Sequence, residues 1–530
     1  MTPLNIKDLL LAPRLDPLQV IALLGPYGFR EPEKADANLQ ALADDAPARR
    51  LLADFLVELL ENVSQSADPD QALNYFERFA RAAVNKTHLF SYLKDSPRTV
   101  EIMAKTFGGS PYMAEILIRD PHYLYWVTDP QILNNVRKKR EIERELARAL
   151  RSLADERKRL DYLRVLKRRE MLQIGVRDLL RLCTVEETLT ALSTLAEALI
   201  SGAHWICASA LRNECGIPRR AFGGFTILGM GKLGGGELNF SSDVDLIYLY
   251  ASDREEVREE SATISASEYF RRLCQKITVA LSEFTGEGYV YRVDLRLRPE
   301  GKAGNIAYSL EGFERYYQSR GETWERLALL KAWPVAGDRA LGQRFLEMTH
   351  PFVYDRPFDL KALEEVRDIK RRIDQQMSIR HKGRQQRNRN VKLGAGGIRE
   401  IELIVQALQV CHGGQTPQIR GRNTLKALVA HRDQSLISTE ECETLTQAYV
   451  FLRDVENKLQ MVNDAQTHSL PSDAQELTGC ARRLGYSDNE LGGASDQFLR
   501  DYQRHTGQVN RIFEEVFSAT EPRRFSRSTS

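Results

Sequence analysis

The chain has 530 residues, 42% of them hydrophobic and 28% charged, the balance of a soluble globular protein long enough for three or four domains of roughly 150 residues each. A formal net charge of +2 gives no overall electrostatic case for nucleic acid or membrane as a partner. The 7 cysteines include no Cys-x-x-Cys pair, which argues against a zinc site or disulfide framework and fits a reducing cytoplasm. The N-terminus lacks the layout of a signal peptide, and no apolar run approaches the ~18 residues of a membrane span.

Residues 1 to about 215 read as helices: LLADFLVELLENV and ALNYFERFARAAV repeat apolar residues at helical spacing. From 131 to 183 the chain is dense in Lys, Arg and Glu with Leu interleaved, the pattern of a solvated, ion-paired helix face. Residues 222 to about 309 change character. FTILGM, DVDLIYLYA and YVYRVDLRLR are strand candidates, and SASEYFRRLCQKITVALSEF between the last two is a helix with an apolar face. From about 359 the helical pattern returns, broken by the basic loop HKGRQQRNRNVKLGAGG, and the tail EPRRFSRSTS is polar. These runs predict a predominantly helical α+β protein. The expected division is an N-terminal helical region over 1–215, a catalytic domain over 216–345, a helical bundle over 359–518 and a disordered tail over 519–530.

The stretch GMGKLGGGELNFSSDVDLIYLYA carries the chemistry. Side chains alternate along a strand, so Asp243, Asp245 and Ile247 fall on one face and Val244, Leu246 and Tyr248 on the other. Two carboxylates side by side on so apolar a strand repel, and a divalent cation such as Mg²⁺ removes that cost while leaving room for substrate phosphates. In YRVDLRLRP the same rule sets Arg292, Asp294, Arg296 and Arg298 on one face. That is either an ion-paired sheet surface or a third metal-site carboxylate among phosphate-binding arginines, and the neighbouring Asp-x-Asp favours the second. The glycines at 229, 231, 234, 235 and 236 allow close backbone approach, and Lys232, Ser241 and Ser242 can hold a phosphate chain with the loop amides. The loop is not a P-loop, and it lacks the helix that opens a dinucleotide-binding turn.

A Gly-rich loop, Asp-x-Asp and a downstream strand aspartate together resemble the nucleotidyltransferase superfamily of DNA polymerase β, in which three aspartates hold two metal ions. The resemblance extends further. GMGKLGGGELNFSSDVDLIYLY, YRVDLRLRPEGKAGNIAYSLEGFERYYQSRGETWERLALLKAWPVAGD and VKLGAGGIREIELIVQ, with the leader segments SPYMAEILIRDPHYLYW and LKRREMLQIGVRDLL, are similar to glutamine synthetase adenylyltransferase, the adenylyl-transferring and adenylyl-removing family. That family joins two nucleotidyltransferase modules. One removes AMP from a tyrosine of glutamine synthetase with phosphate, releasing ADP; the other attaches AMP from ATP. PII signalling protein, its uridylylated form and glutamine direct them. With one Asp-x-Asp module, this chain resembles half of such an enzyme, and its leader and wording resemble the N-terminal, adenylyl-removing half.

The resemblance implies Asp243, Asp245 and Asp294 as metal ligands for Mg²⁺, two ions in all, with Mn²⁺ as a substitute. It implies Gly231, Lys232, Ser241 and Ser242 against the phosphates of ADP or ATP, and Arg296 and Arg298 on phosphate or protein substrate. Gly236 departs from the basic residue usual there. The implied setting is cytoplasmic, with glutamine synthetase as substrate and PII and glutamine as effectors. Alternatives are a single-module enzyme that transfers AMP from ATP, a nucleotidyltransferase for another regulatory protein such as PII, and a silent PII-binding helical module; the three aspartates speak against the last. Three stretches stay open between site and scaffold: Trp324, Glu325, Arg326 and Lys331; Arg399, Glu400 and Glu402 after KLGAGG; and Arg453, Glu456, Asn457 and Gln460 on one helical face, where a buried polar network is expected.

Overall fold

The computed structural model describes residues 5–12, 15–218, 222–254, 256–259, 262–358, 360–380, 388–517 and 525. The tail expected to be disordered lies outside the described residues except for Phe525, as does the 381–387 part of the basic loop. The protein is α+β and predominantly helical, with one small mixed sheet and a separate hairpin.

The chain forms two units, both discontinuous in sequence. One comprises Met1–Val136, Arg168–Thr184 and Asn457–Asp501; the other comprises Arg137–Lys167, Val185–Glu456 and Tyr502–Ser530.

The first unit is helical. Helix Ala46–Ser64 begins at Asp45, whose side chain accepts from Ala48 N, and buries Leu52, Phe55, Leu56, Leu59, Leu60 and Val63 along one face. Helix Pro69–Ala82 starts in the same way at Asp68 and buries Leu73, Phe76 and Phe79. Phe107 of helix Pro97–Gly109 packs against Phe76 and Phe79, with ring centroids 6.4 and 5.7 Å away.

The second unit holds the sheet. Strand β1 (Phe225–Gly229) pairs antiparallel with β2 (Val244–Tyr250), and Gly229 faces Leu246. The hairpin β3 (Glu256–Glu259) and β4 (Ala262–Ser265) follows outside the sheet. Then β5 (Val293–Asp294) and β6 (Ala307–Ser309) pair parallel with β2, and β7 (Trp333–Gly337) pairs antiparallel with β1. β1 is buried throughout and β2 at every position but Asp245, which explains their apolar, β-branched sequences. Helix Ala266–Ser282 covers them, stacking Phe270 on Phe225 and Tyr250 at centroid distances of 5.4 and 5.0 Å.

Several expectations change. The run read as the strand YVYRVDLRLR contributes only Val293–Asp294, and the chain turns at once afterwards. β7 lies outside the expected strand window; its Pro334 suits it to the edge position it occupies. The charged stretch from 131 to 183 is not wholly solvated, since Arg164, Lys167, Glu170 and Arg177 are buried in it. Helix Val185–Cys215 is long and apolar enough by length and composition to cross a membrane, more than the sequence reading expected, and 67% of its apolar window is buried inside the protein.

Candidate active site

The site forms where β1 ends beside β2. Met230 N donates to the Asp245 carbonyl oxygen at 2.8 Å. Gly231 follows with φ +51°, where a Cβ would lie 2.9 Å from Asp245 Oδ2, so glycine favours both the left-handed backbone and the close approach to that carboxylate. The chain then makes one helical turn, Gly231–Gly235, where the sequence pattern predicts no helix directly after the strand. Glycines disfavour helix, but packing decides here: a Cβ on Gly234 would overlap the Lys331 carbonyl oxygen.

Asp245 lies opposite Asp294 on the parallel strand β5. Asp243 stands just before β2 rather than on it. Burial pushes Asp245 up to about 7, and the carboxylates of Asp294 and Asp243 add to the rise while Lys392 and Arg296 oppose it. Asp294 goes the other way: burial would raise it, but hydrogen bonds from Arg296 hold it below the usual carboxylate range. Arg296 reaches its carboxylate through N at 2.8 Å and through Nε at 2.8 and 3.0 Å. Asp243 Oδ1 accepts from Arg292 Nε at 2.6 Å, and Arg292 also donates to Ser241 O at 2.6 Å and Tyr289 Oη at 2.7 Å. Two of the three aspartates are thus turned onto arginines. Among the described residues no group of three or more His, Cys, Asp or Glu side chains is arranged to hold a metal ion.

The expected phosphate contacts are placed variously. Ser241 and Ser242 are buried in the turn before β2; Ser241 Oγ accepts from Arg292 and Ser242 Oγ from Asn239 N, each at 3.3 Å. Lys232 donates to Glu456 Oε1 at 2.8 Å, and burial lowers its pKa to about 7 against the pull of Glu456. It ties the glycine loop to helix Thr439–Gln460. Arg296 is exposed beyond the turn. Arg298 is not on a strand face beside it: its guanidinium donates to the carbonyls of Leu295, Asn305 and Gly304 at 2.7, 2.9 and 3.2 Å and clamps the 295–305 loop.

Sequence reasoning expected a buried polar network at Arg453 and Glu456 but missed its partners beneath the loop, Glu237, Asn239 and Thr424. Lys331 Nζ bridges Glu237 Oε2 at 2.9 Å, Glu402 Oε1 at 3.1 Å and Thr424 Oγ1 at 3.2 Å. Arg453 donates to Glu237 O and Asn239 Oδ1, and Asn239 Nδ2 to Glu456 Oε2 at 3.0 Å. The expected polar network on FLRDVENKLQ therefore exists at Arg453 and Glu456 and holds the loop, whereas Gln460 Nε2 donates locally to Thr467 O at 3.4 Å. In the other open stretches, Arg326 is buried against the carbonyls of Val353, Arg356 and Pro357, and Trp324 Nε1 donates to Glu322. Glu400 pairs with Lys370 at 3.0 Å. Lys392, from KLGAGG, lies close enough to act electrostatically on Asp245, Lys232 and Glu402 together.

Residues 100–348 match the family model of glutamate-ammonia ligase adenylyltransferase, and residues 367–517 match that of GlnD PII-uridylyltransferase. The chain is similar to proteins named bifunctional glutamine synthetase adenylyltransferase/adenylyl-removing enzyme. The relative in Thioalkalivibrio sulfidiphilus is 38% identical over 79% of this chain and 42% of its own length. That in Rhizobium meliloti is 35% identical over 87% of this chain and 47% of its own. That in Xanthomonas campestris is 44% identical over 59% of this chain and 33% of its own. The chain thus spans under half the length of these relatives. The chain is thus similar to part of the glutamine synthetase adenylyltransferases, and its residues 100–348 are the segment that matches the glutamate-ammonia ligase adenylyltransferase family model.

Proposed function

We propose that the chain removes AMP from an adenylylated tyrosine of glutamine synthetase by phosphorolysis, taking inorganic phosphate and releasing ADP. The supporting observation is the register of Asp245 with Asp294 beside a glycine loop that approaches the Asp245 carboxylate. A half-buried aspartate pushed towards protonation by burial and its neighbours is a group whose ionised form a cation stabilises, so the donor set fits Mg²⁺, two ions in all, or Mn²⁺. Asp243, Asp245 and Asp294 would hold it, Asp243 and Asp294 exchanging Arg292 and Arg296 for the metal. Bound there, the metal neutralises charge on the phosphates and the departing phenolate.

The chain's own residues bind and orient. The glycine loop around Gly231 lies along the nucleotide phosphates, with Lys232, Ser241 and Ser242 shaping it from beneath. Arg296, released from Asp294, holds the attacking phosphate. An oxygen of that phosphate bonds to the α-phosphorus as the bond to the tyrosine oxygen breaks. The phenolate, reference pKa near 10, takes its proton from water. Phosphate is already anionic, so positioning and charge neutralisation carry the step. The proposed setting is cytoplasmic, with PII and glutamine as effectors and neither nucleic acid nor membrane as a partner.

A second reading, nucleotidylation of another protein such as PII, is favoured by the match of residues 367–517 to the PII-uridylyltransferase model. A third is transfer of AMP from ATP to glutamine synthetase by this one module. The test is ADP release by this chain from adenylylated glutamine synthetase and phosphate with Mg²⁺. Release of AMP means that water attacks; nucleotide transfer from ATP or UTP without phosphorolysis replaces the proposal with one of the other two.

A further inference from the structure

The helical unit contains a cavity of about 570 Å³ that has no part in the site above. Its lining includes four cations, Lys105, Arg181, Arg482 and Arg483, and one carboxylate, Asp488. Lys105 is paired with Glu101 at 2.8 Å and Arg482 with Asp488 at 3.3 Å. Arg483 has no acid partner among the described residues; its Nε donates to Gly109 O at 2.7 Å, so it serves partly to cap a helix C-terminus. That explanation does not extend to Arg181, whose guanidinium makes no hydrogen bond or ion pair among the described residues.

Two features of the backbone hold Arg181 in place. It follows helix Glu156–Leu179 with φ +56°, and Leu182 N bonds back to Arg177 O at 2.9 Å. This is the left-handed helix-ending position that glycine ordinarily takes, and a side chain there is strained. The guanidinium lies against Gly485, φ +83°, where any Cβ would overlap it. Gly485 ends helix Ala474–Arg483 in the same manner, with Tyr486 N bonded to Ala481 O at 3.0 Å. A strained arginine, exposed to solvent at the edge of the cavity and without an acid partner among the described residues, is thus seated on a glycine that leaves room for it.

We propose that this cavity binds a small anion of the phosphate or carboxylate class, held by the guanidinium of Arg181 with Arg483 beside it. Strain kept at a position where glycine would fit marks a side chain retained for what it holds.

The test measures the affinity of the full chain for inorganic phosphate and for succinate by titration calorimetry, with thermal unfolding in parallel. Arg181→Gly is expected to unfold without anion at the same or a higher temperature than the unmodified chain, because glycine relieves the left-handed strain. Its affinity is expected to fall about tenfold or more, the usual effect of losing a charge-assisted hydrogen bond. Any phosphate bound near Asp245 is common to both chains and cancels in the comparison. Arg483→Gln is expected to weaken the same binding and also lower the unfolding temperature, through loss of the bond to Gly109. Loss of phosphate binding alone, or of succinate binding alone, assigns the anion class. Equal affinities in Arg181→Gly and the unmodified chain, or binding of neither anion, overturn the proposal.

Discussion

Asp245 on β2 stands in register with Asp294 on the parallel strand β5, so that two carboxylates meet across one rung of the sheet. Neighbouring like charges at a half-buried position are destabilising unless a proton or a cation intervenes. Asp245→Asn removes one charge and one ligand together. The expected result is loss of phosphorolysis by more than about 100-fold, with an unfolding temperature at pH 8 without metal that is unchanged or higher. Turnover near that of the unmodified chain at saturating Mg²⁺ would remove Asp245 from the metal site.

The same aspartate sets a dependence on pH. Its folded pKa, about 7, lies above the ordinary 3.8, so the folded state holds the proton more tightly than the unfolded chain does. Its favourable contribution is complete below about pH 4 and is lost as pH rises through 7. Mg²⁺ binds the ionised form and must displace that proton. The rise in unfolding temperature on adding Mg²⁺ is therefore expected to be larger at pH 8 than at pH 5.5, as thermal unfolding at the two pH values would show. An equal rise at both counts against a cation at Asp245.

Lys232 and Glu456 form the link between the glycine loop and the helix below it. Glu456 is fully buried and also serves Asn239 and Arg453. Glu456→Gln leaves Lys232 and Arg453 without their counter-charge and is expected to cost about 3–5 kcal/mol in urea unfolding. Lys232→Met added to it should cost less than the sum of the two single changes, by more than about 1 kcal/mol, because both break one interaction. Additive costs would mean that the pair is not coupled.

The sequence was legible where local pattern and tertiary role agree. FTILGM and DVDLIYLYA are continuous apolar runs because β1 and β2 are buried strands of the sheet, and the Asp-x-Asp stands out against them. YRVDLRLR keeps a perfect alternation past the point where the strand stops; there Arg296 N closes onto Asp294 Oδ1, a side chain–backbone turn that periodicity does not reveal. Lys331 meets Glu237 across 94 residues and Glu402 across 71. Nothing local marks such partners, so the network that supports the loop became visible only once the chain was folded.

That early end of β5 separates two arginines the sequence had grouped, and it yields a contrast to measure. Arg296 is exposed and engaged with Asp294, the group that would hold the metal. Arg298 is engaged with the backbone carbonyls of Leu295, Lys302, Gly304 and Asn305. If Asp294 turns to a metal, the Arg296 guanidinium is released beside it and is available to phosphate, whereas Arg298 has carbonyls to satisfy throughout. Arg296→Gln is therefore expected to raise the KM for phosphate by roughly 10-fold or more, the effect of one charge-assisted hydrogen bond, while the KM for the adenylylated protein changes little. Arg298→Gln should lower the unfolding temperature and depress turnover without singling out phosphate, since its loss loosens the 295–305 loop as a whole. Steady-state kinetics with each substrate varied in turn separates the two patterns. A phosphate-specific effect at Arg298 and none at Arg296 would reverse the assignment.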